Sequence, residues 1–170
     1  MTQVVTIPEG SGLSRAHIDL LTKQVNEGFA SRAITTVKKT IGAVGVADCD
    51  FNFATAAGHA AQNIDLGAIV PAKARVLDVV VFTKTAFATA TSLTVAAGNA
   101  SGGTQFFTGV DHIAANTITA PATGASYLTA PSASATHVWV SGDPDSGTTW
   151  AAITEGELEV YVSYIDISGL

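Results

Sequence analysis

Residues 74–87 read ARVLDVVVFTKTAF, the longest β-branched and apolar stretch in the chain. It alternates with period two. Val76, Asp78, Val80 and Phe82 fall on one side, and Leu77, Val79, Val81 and Thr83 on the other. Apolar residues on nearly both sides predict a strand at the centre of a sheet, or one covered by a second layer. Residues 157–167, ELEVYVSYIDI, predict a second strong strand, with Leu158, Val160, Val162 and Tyr164 on its core face.

Shorter strands surround these two. ITTVKKTI (34–41) is rich in β-branched residues, and DFNFA (50–54) alternates with Phe51 and Phe53 together. NIDLGAI (63–69) turns Ile64 and Leu66 inward until Pro71 and Ala72 break the run. SLTVAAG (92–98) offers Leu93 and Val95 to one face. TQFF (104–107) and the stretches near Thr117–Thr119 and Ser126–Leu128 predict further short strands. HVWVSG (137–142) alternates Val138 and Val140 against His137 and Trp139. Gly, Pro, Ser and Asn supply the turns between them. Roughly eight strands without a βαβ rhythm predict a mainly β fold, an antiparallel β-sandwich or jelly roll.

One segment differs. QVVTIPEGSG (3–12) reads as an extended arm ended by Pro8 and Gly10. In LSRAHIDLLTKQVNEGF (13–29), Ile18, Leu21, Val25 and Phe29 recur at helical spacing, with Ser14 as a candidate cap. A helix this short is marginal alone and must dock on something. The chain therefore divides into an N-terminal arm and short helix, residues 1–32, and a β-sandwich domain, residues 33–170.

Charge narrows the function. The chain has 170 residues, and only 13% are charged, with a net charge of −6. All eight Lys and Arg residues lie at or before Lys84. The second half thus offers no cation to a phosphate backbone, which argues against nucleic acid as a partner. Lys38-Lys39 fits a solvated strand or an intermolecular salt bridge. The first residues lack the basic and apolar regions of a signal peptide, and no apolar run is long enough for a bilayer. Cys49 is the single cysteine, so no intrachain disulfide exists; synthesis in a reducing cytoplasm is expected.

No cofactor, metal site or catalytic constellation is expected. His17, His59, His112 and His137 share no ligand spacing and read as surface or interface histidines. Asp111 and His112 point to opposite faces if extended. Cys49 in ADCDF reads as a buried thiol rather than a nucleophile. GDPDSGTT (142–149) has the composition of a calcium loop but not its spacing, and reads as a solvated turn in which Asp side chains cap backbone N–H groups. Glu157 and Glu159 share one face of an exposed or edge strand without the flanking cleft that glycoside hydrolysis requires. Trp139, Trp150 and Tyr127 are candidate platforms for a sugar, against the plainer reading of core or interface aromatics.

At the central strands the sequence resembles a family. IDLGAIVPAKARVLDVVVFTKTAF, then SLTVAAGNASGGTQFF, then EGELEVYVSYI are similar to small structural proteins of tailed bacteriophages, of the head decoration, cement or fibre-base kind. The matching positions are Leu66-Gly67, Pro71-Ala72, Thr85 to Phe87 and Ser92 to Val95, within a likeness spanning about Phe51 to Ile165. The resemblance implies a non-enzymatic β-sandwich on the outer surface of the virion head. It implies a homotrimer bound to the major capsid protein, with no membrane partner. The departure is Met1 to Ala30, a candidate for gripping the shell or swapping between subunits. Contact residues expected on this reading are Val4, Val5, Ile7, Ile18, Leu21, Val25 and Phe29, with Trp139, Tyr161 and Ile165 between subunits. A carbohydrate-binding or fibre-type module is the alternative.

Overall fold

In the computed structural model, the described residues are 34–42, 49–50, 58, 60–120, 131, 133–145 and 147–167. They form nine strands. These are β1 (Ile34–Gly42), β2 (Cys49–Asp50), β3 (Gln62–Asp65), β4 (Ala74–Thr85), β5 (Leu93–Gly98), β6 (Phe107–Asp111), β7 (Ile118–Thr119), β8 (Trp139–Pro144) and β9 (Glu157–Asp166). A larger sheet has the order β2-β1-β9-β4-β7 and a smaller one β3-β8-β5-β6. All pairings are antiparallel except the short one between β1 and β2. This is the expected two-sheet, mainly β arrangement. The predicted arm and helix, the DFNFA strand beyond Asp50 and the strand near Ser126–Leu128 lie outside the described residues.

The core fills the space between the sheets. Leu158, Val160 and Val162 of β9 are fully buried, as are Leu93 and Val95 of β5 and Val138 and Val140 beside and within β8. Leu66 is buried with them, and Ile64 and Tyr164 pack against the cluster. Apart from Val138 and Val140, whose side alternation left open, these are the residues that alternation turned inward. Burying each such side chain stabilises the fold by about 1.5–3 kcal/mol.

β4 departs from the expected alternation. Val76 sits opposite Tyr164 and Asp78 opposite Ser163, so Leu77 is an extra residue in the ladder. This β-bulge flips the parity of the strand. Val76 therefore shares the core face with Val79, Val81 and Thr83, while Val80 and Phe82 turn outward and are only half-buried. Phe82, which alternation put on the same side as Val76, lies instead on the outer face.

The chain crosses between the sheets, and two of these crossings carry buried polar residues, His112 and Thr148. His112 follows β6 and is fully buried, contrary to its reading as a surface or interface residue. The Thr83 hydroxyl donates to the His112 carbonyl at 3.1 Å and accepts from Nδ1 at 2.9 Å; Nε2 meets the Thr119 hydroxyl at 3.0 Å. Both ring nitrogens are thus satisfied in the neutral state. Burial lowers the His112 pKa, with Asp111 opposing weakly from the exposed side.

The crossing from β8 to β9 is fastened by Asp145. Its carboxylate accepts from Thr91 N–H at 2.8 Å, Ser92 N–H at 3.3 Å, Gly147 N–H at 2.8 Å and the Thr148 hydroxyl at 2.9 Å. These donors hold its pKa down at about 2. The loop is therefore the turn its composition suggested, but it leads into a buried residue. Trp150 is fully enclosed, and its indole N–H donates to the Ala60 carbonyl at 2.8 Å. Gly156 then enters β9 at φ +144, where a Cβ would lie 2.2 Å from the Phe87 ring, so only glycine fits.

Two outcomes follow from this packing. Leu158→Ala should cost about 2–5 kcal/mol in urea unfolding, and Phe82→Ala clearly less, because only the former empties the core. An equal loss would place the outer face of β4 under cover in the folded protein. Stability should also fall as pH drops below 6.5, the ordinary histidine value, because the unfolded chain takes up a proton that folded His112 resists. His112→Gln should flatten that slope below pH 6.5, whereas Asp145 contributes an acid loss only below 3.8.

Candidate functional site

Each sheet has one outward face, and the candidate contact residues divide between them. On the larger sheet, inward Leu158, Val160 and Val162 force Glu157, Glu159, Tyr161, Ser163 and Ile165 outward. Register places Glu159 between Thr40 and Phe82, and Tyr161 between Lys38 and Val80. Lys38 and Glu159 are therefore diagonal neighbours across one strand pair.

These residues form a charged network. Lys38 Nζ donates to Glu159 Oε1 at 2.8 Å, and the Tyr161 hydroxyl donates to Glu159 Oε2. Lys84 Nζ donates to Glu157 at 2.9 Å and lies 3.9 Å from Glu159. Glu159 is almost covered, by its neighbours' side chains rather than by the core. Its pKa is lowered, first by the Lys38 hydrogen bond and then by Tyr161; the same bonds raise the pKa values of Lys38 and Tyr161. Lys38 thus finds its partner within the chain, where an intermolecular salt bridge was one expectation. Lys39 turns to the other side, beside a cleft lined by Val37, Leu66, Ala68 and Ile69. β9 is a central strand, not an edge, and the glutamates answer to lysines rather than flanking a cleft.

Beside the network runs an apolar strip, interrupted by the polar row Thr36–Ser163–Asp78. Val80 pairs with Tyr161, Phe82 with Ile118, and Ile165 lies between Ile34 and Arg75. Ile34 and Ile118 are each 65% exposed, the two large apolar side chains so open among the described residues. Tyr161 and Ile165, expected at a subunit contact, therefore share one face with apolar neighbours.

Trp139 does not join them. It lies in β8, on the outer face of the smaller sheet, opposite Asp65 on one side and Gly98 on the other. There it lines an open groove of about 480 Å³ with Asp65, Asn99, Ser101 and His137. The Asp65 carboxylate accepts from His137 Nδ1 at 2.9 Å and from Gly67 N–H at 2.8 Å. The sequence held no sign of Asp65 at this place, because it lies far along the chain from His137. Enclosure removes Trp150 as a platform.

Val4, Val5, Ile7, Ile18, Leu21, Val25, Phe29, Tyr127, His17 and His59 lie outside the described residues, as does the side chain of Cys49. Among the described residues no three of His, Cys, Asp and Glu gather where they could hold a metal ion. Nor is any helix among them long and apolar enough to cross a membrane.

No protein-family model matches the chain, and no curated protein does. Solved structures do. A chain of the Cyanophage Pam1 capsid asymmetric unit aligns with TM-score 0.52 and 19% identity, over 79% of this chain and 85% of that one. A chain of the capsid of Ralstonia phage GP4 aligns with TM-score 0.48 and 14% identity, over 98% of this chain and 93% of that one. At such identities the Pam1 likeness is one of fold: the two-sheet architecture described above is shared with a chain found in a phage capsid assembly.

Proposed function

We propose that the chain is a non-enzymatic structural protein of a bacteriophage virion, a decoration or cement protein on the outer surface of the head. The observation that carries this reading is the architecture shared with a chain of the Pam1 capsid asymmetric unit, which spans most of both chains. The outer face of the larger sheet supports it. Exposed Ile34 and Ile118, with Tyr161 and Ile165 on the same face, give an apolar strip that one polar row interrupts and a self-neutralised charge network borders. Such a strip suits burial against a protein surface, with polar groups at its rim.

The partner on this reading is the major capsid protein, and the chain acts as a homotrimer placed on a local symmetry axis of the shell. Tyr161 and Ile165 contribute to contacts between subunits. Residues 1–32 grip the shell or a neighbouring subunit through Val4, Val5, Ile7, Ile18, Leu21, Val25 and Phe29. Trp139 stands on the opposite side of the sandwich and is left out of that contact. Many copies on a closed lattice act together, so modest affinity at each position suffices to hold the shell.

Light scattering at two concentrations should give a mass near three times 17.2 kDa. The chain should also bind saturably to heads of its own phage prepared without it. Deleting residues 1–32 should abolish head binding and leave the unfolding transition of the sandwich in place; unchanged binding would sink the role given to the arm. Ile165→Glu should lower the oligomer mass while changing stability little, since its side chain lies outside the core.

A further inference from the structure

We propose that the groove beside Trp139 is a binding site for a neutral carbohydrate, a pyranose-based glycan. This assignment does not rest on the head-binding reading, because the groove opens on the outer face of the smaller sheet, across the sandwich from the apolar strip. The two faces can be occupied together.

The groove is built rather than incidental. One wall is the turn after β5. A Cβ on Gly98 would meet the Gly103 carbonyl carbon at 2.4 Å, so the turn closes on itself more tightly than any other residue would allow. Gly103 N–H donates to the Ala100 carbonyl at 2.8 Å, and Asn99 N–H donates to Gln105 Oε1 at 3.2 Å. The other wall, Ser134–His137, is tied down by the Val70–Thr136 bridge and by the His137–Asp65 pair. Walls fixed before binding reduce the ordering cost of taking up a ligand.

The lining chemistry selects the ligand. Trp139 presents a half-buried indole, and its N–H has no hydrogen-bond partner among the described residues. The other tryptophan, in the core, has its N–H bound to a carbonyl. An aromatic with an apolar face and an N–H donor at its edge suits a ligand that is itself apolar on one face and hydroxylated at its rim. A pyranose ring has that form. Asp65, held in place by Gly67 N–H and His137, puts a carboxylate on the groove wall. The Asn99 amide and the Ser101 hydroxyl stand exposed on the turn and supply donors and acceptors at the rim.

Other ligand classes fit less well. Among the described residues no Lys or Arg lines the groove, and Asp65 repels anions, so phosphate, sulfate and nucleic acid are disfavoured. A lipid would need more apolar lining than one indole among Ser, Thr, Asn, Asp and His. A volume of about 480 Å³ lies within the roughly 300–1,000 Å³ of small-ligand sites.

The test is a titration of the full-length chain with neutral oligosaccharides based on glucose, galactose and N-acetylglucosamine, read by tryptophan fluorescence and calorimetry. At least one should give a saturable fluorescence change with matching heat. Trp139→Ala should abolish both signals. Asp65→Asn should weaken binding about tenfold or more, as expected for a hydrogen bond to a charged group. Ser101→Arg, a change on the exposed turn that blocks the groove without touching the core, should also abolish binding and leave the unfolding midpoint unchanged. The proposal is overturned if no oligosaccharide in the panel gives both signals at millimolar concentration. It is equally overturned if Ser101→Arg binds like the parent chain, or if the indole signal moves only when phage heads are added. Head binding measured on the same Ser101→Arg protein separates the two readings, since that contact belongs to the opposite face.

Discussion

β9 is hydrogen-bonded along its length on both sides, to β1 from Gly42 back to Ile34 and to β4 from Thr85 back to Ala74. The rest of the fold depends on that double pairing. It joins segments more than a hundred residues apart, as the Thr36–Ser163 hydrogen bond shows. It also fixes parity across three strands at once. A one-residue slip would carry Leu158, Val160 and Val162 to solvent and bring Glu157, Glu159 and Tyr161 into the core, so the register is strongly specified.

The outer charge network is a consequence of this register. Once β9 turns its valines inward, Glu159 must stand between the strands bearing Lys38 and Lys84. Neither lysine is near it in sequence. The cluster pairs its own charges, and it leaves Ile34, Ile118, Tyr161 and Ile165 among the apolar side chains of the face. The bulge at Leu77 serves the same geometry. Without it, Val80 and Phe82 would enter the core and Val79 and Val81 would leave it.

The two outer faces have different chemistry because the two sheets end differently. The larger sheet is built on two long central strands, β4 and β9. The smaller sheet carries the tight turn after β5 and the tethered stretch before β8, which together wall a groove around Trp139. A fold shared at 19% identity does not carry such features with it. Faces and grooves vary while the core alternation persists, since function is set by site residues rather than by the scaffold.

The sequence alone placed most of the strands and much of the core, although the strand expected at 104–107 instead runs over Phe107–Asp111. Period-two alternation is a local property, so Leu93, Val95, Val138, Val140, Leu158, Val160 and Val162 were legible from their spacing. The turn at Asp145 was legible from its residue types. Tertiary structure alone decided the remainder: which way β4 faces beyond Leu77, why His112 is buried, which tryptophan is in the core, and that Asp65 meets His137. Each of these depends on a partner strand far along the chain, through a bulge, a crossing or a cross-strand pair. Alternation says that a residue has two possible sides; only the pairing register says which side is in and what it meets there.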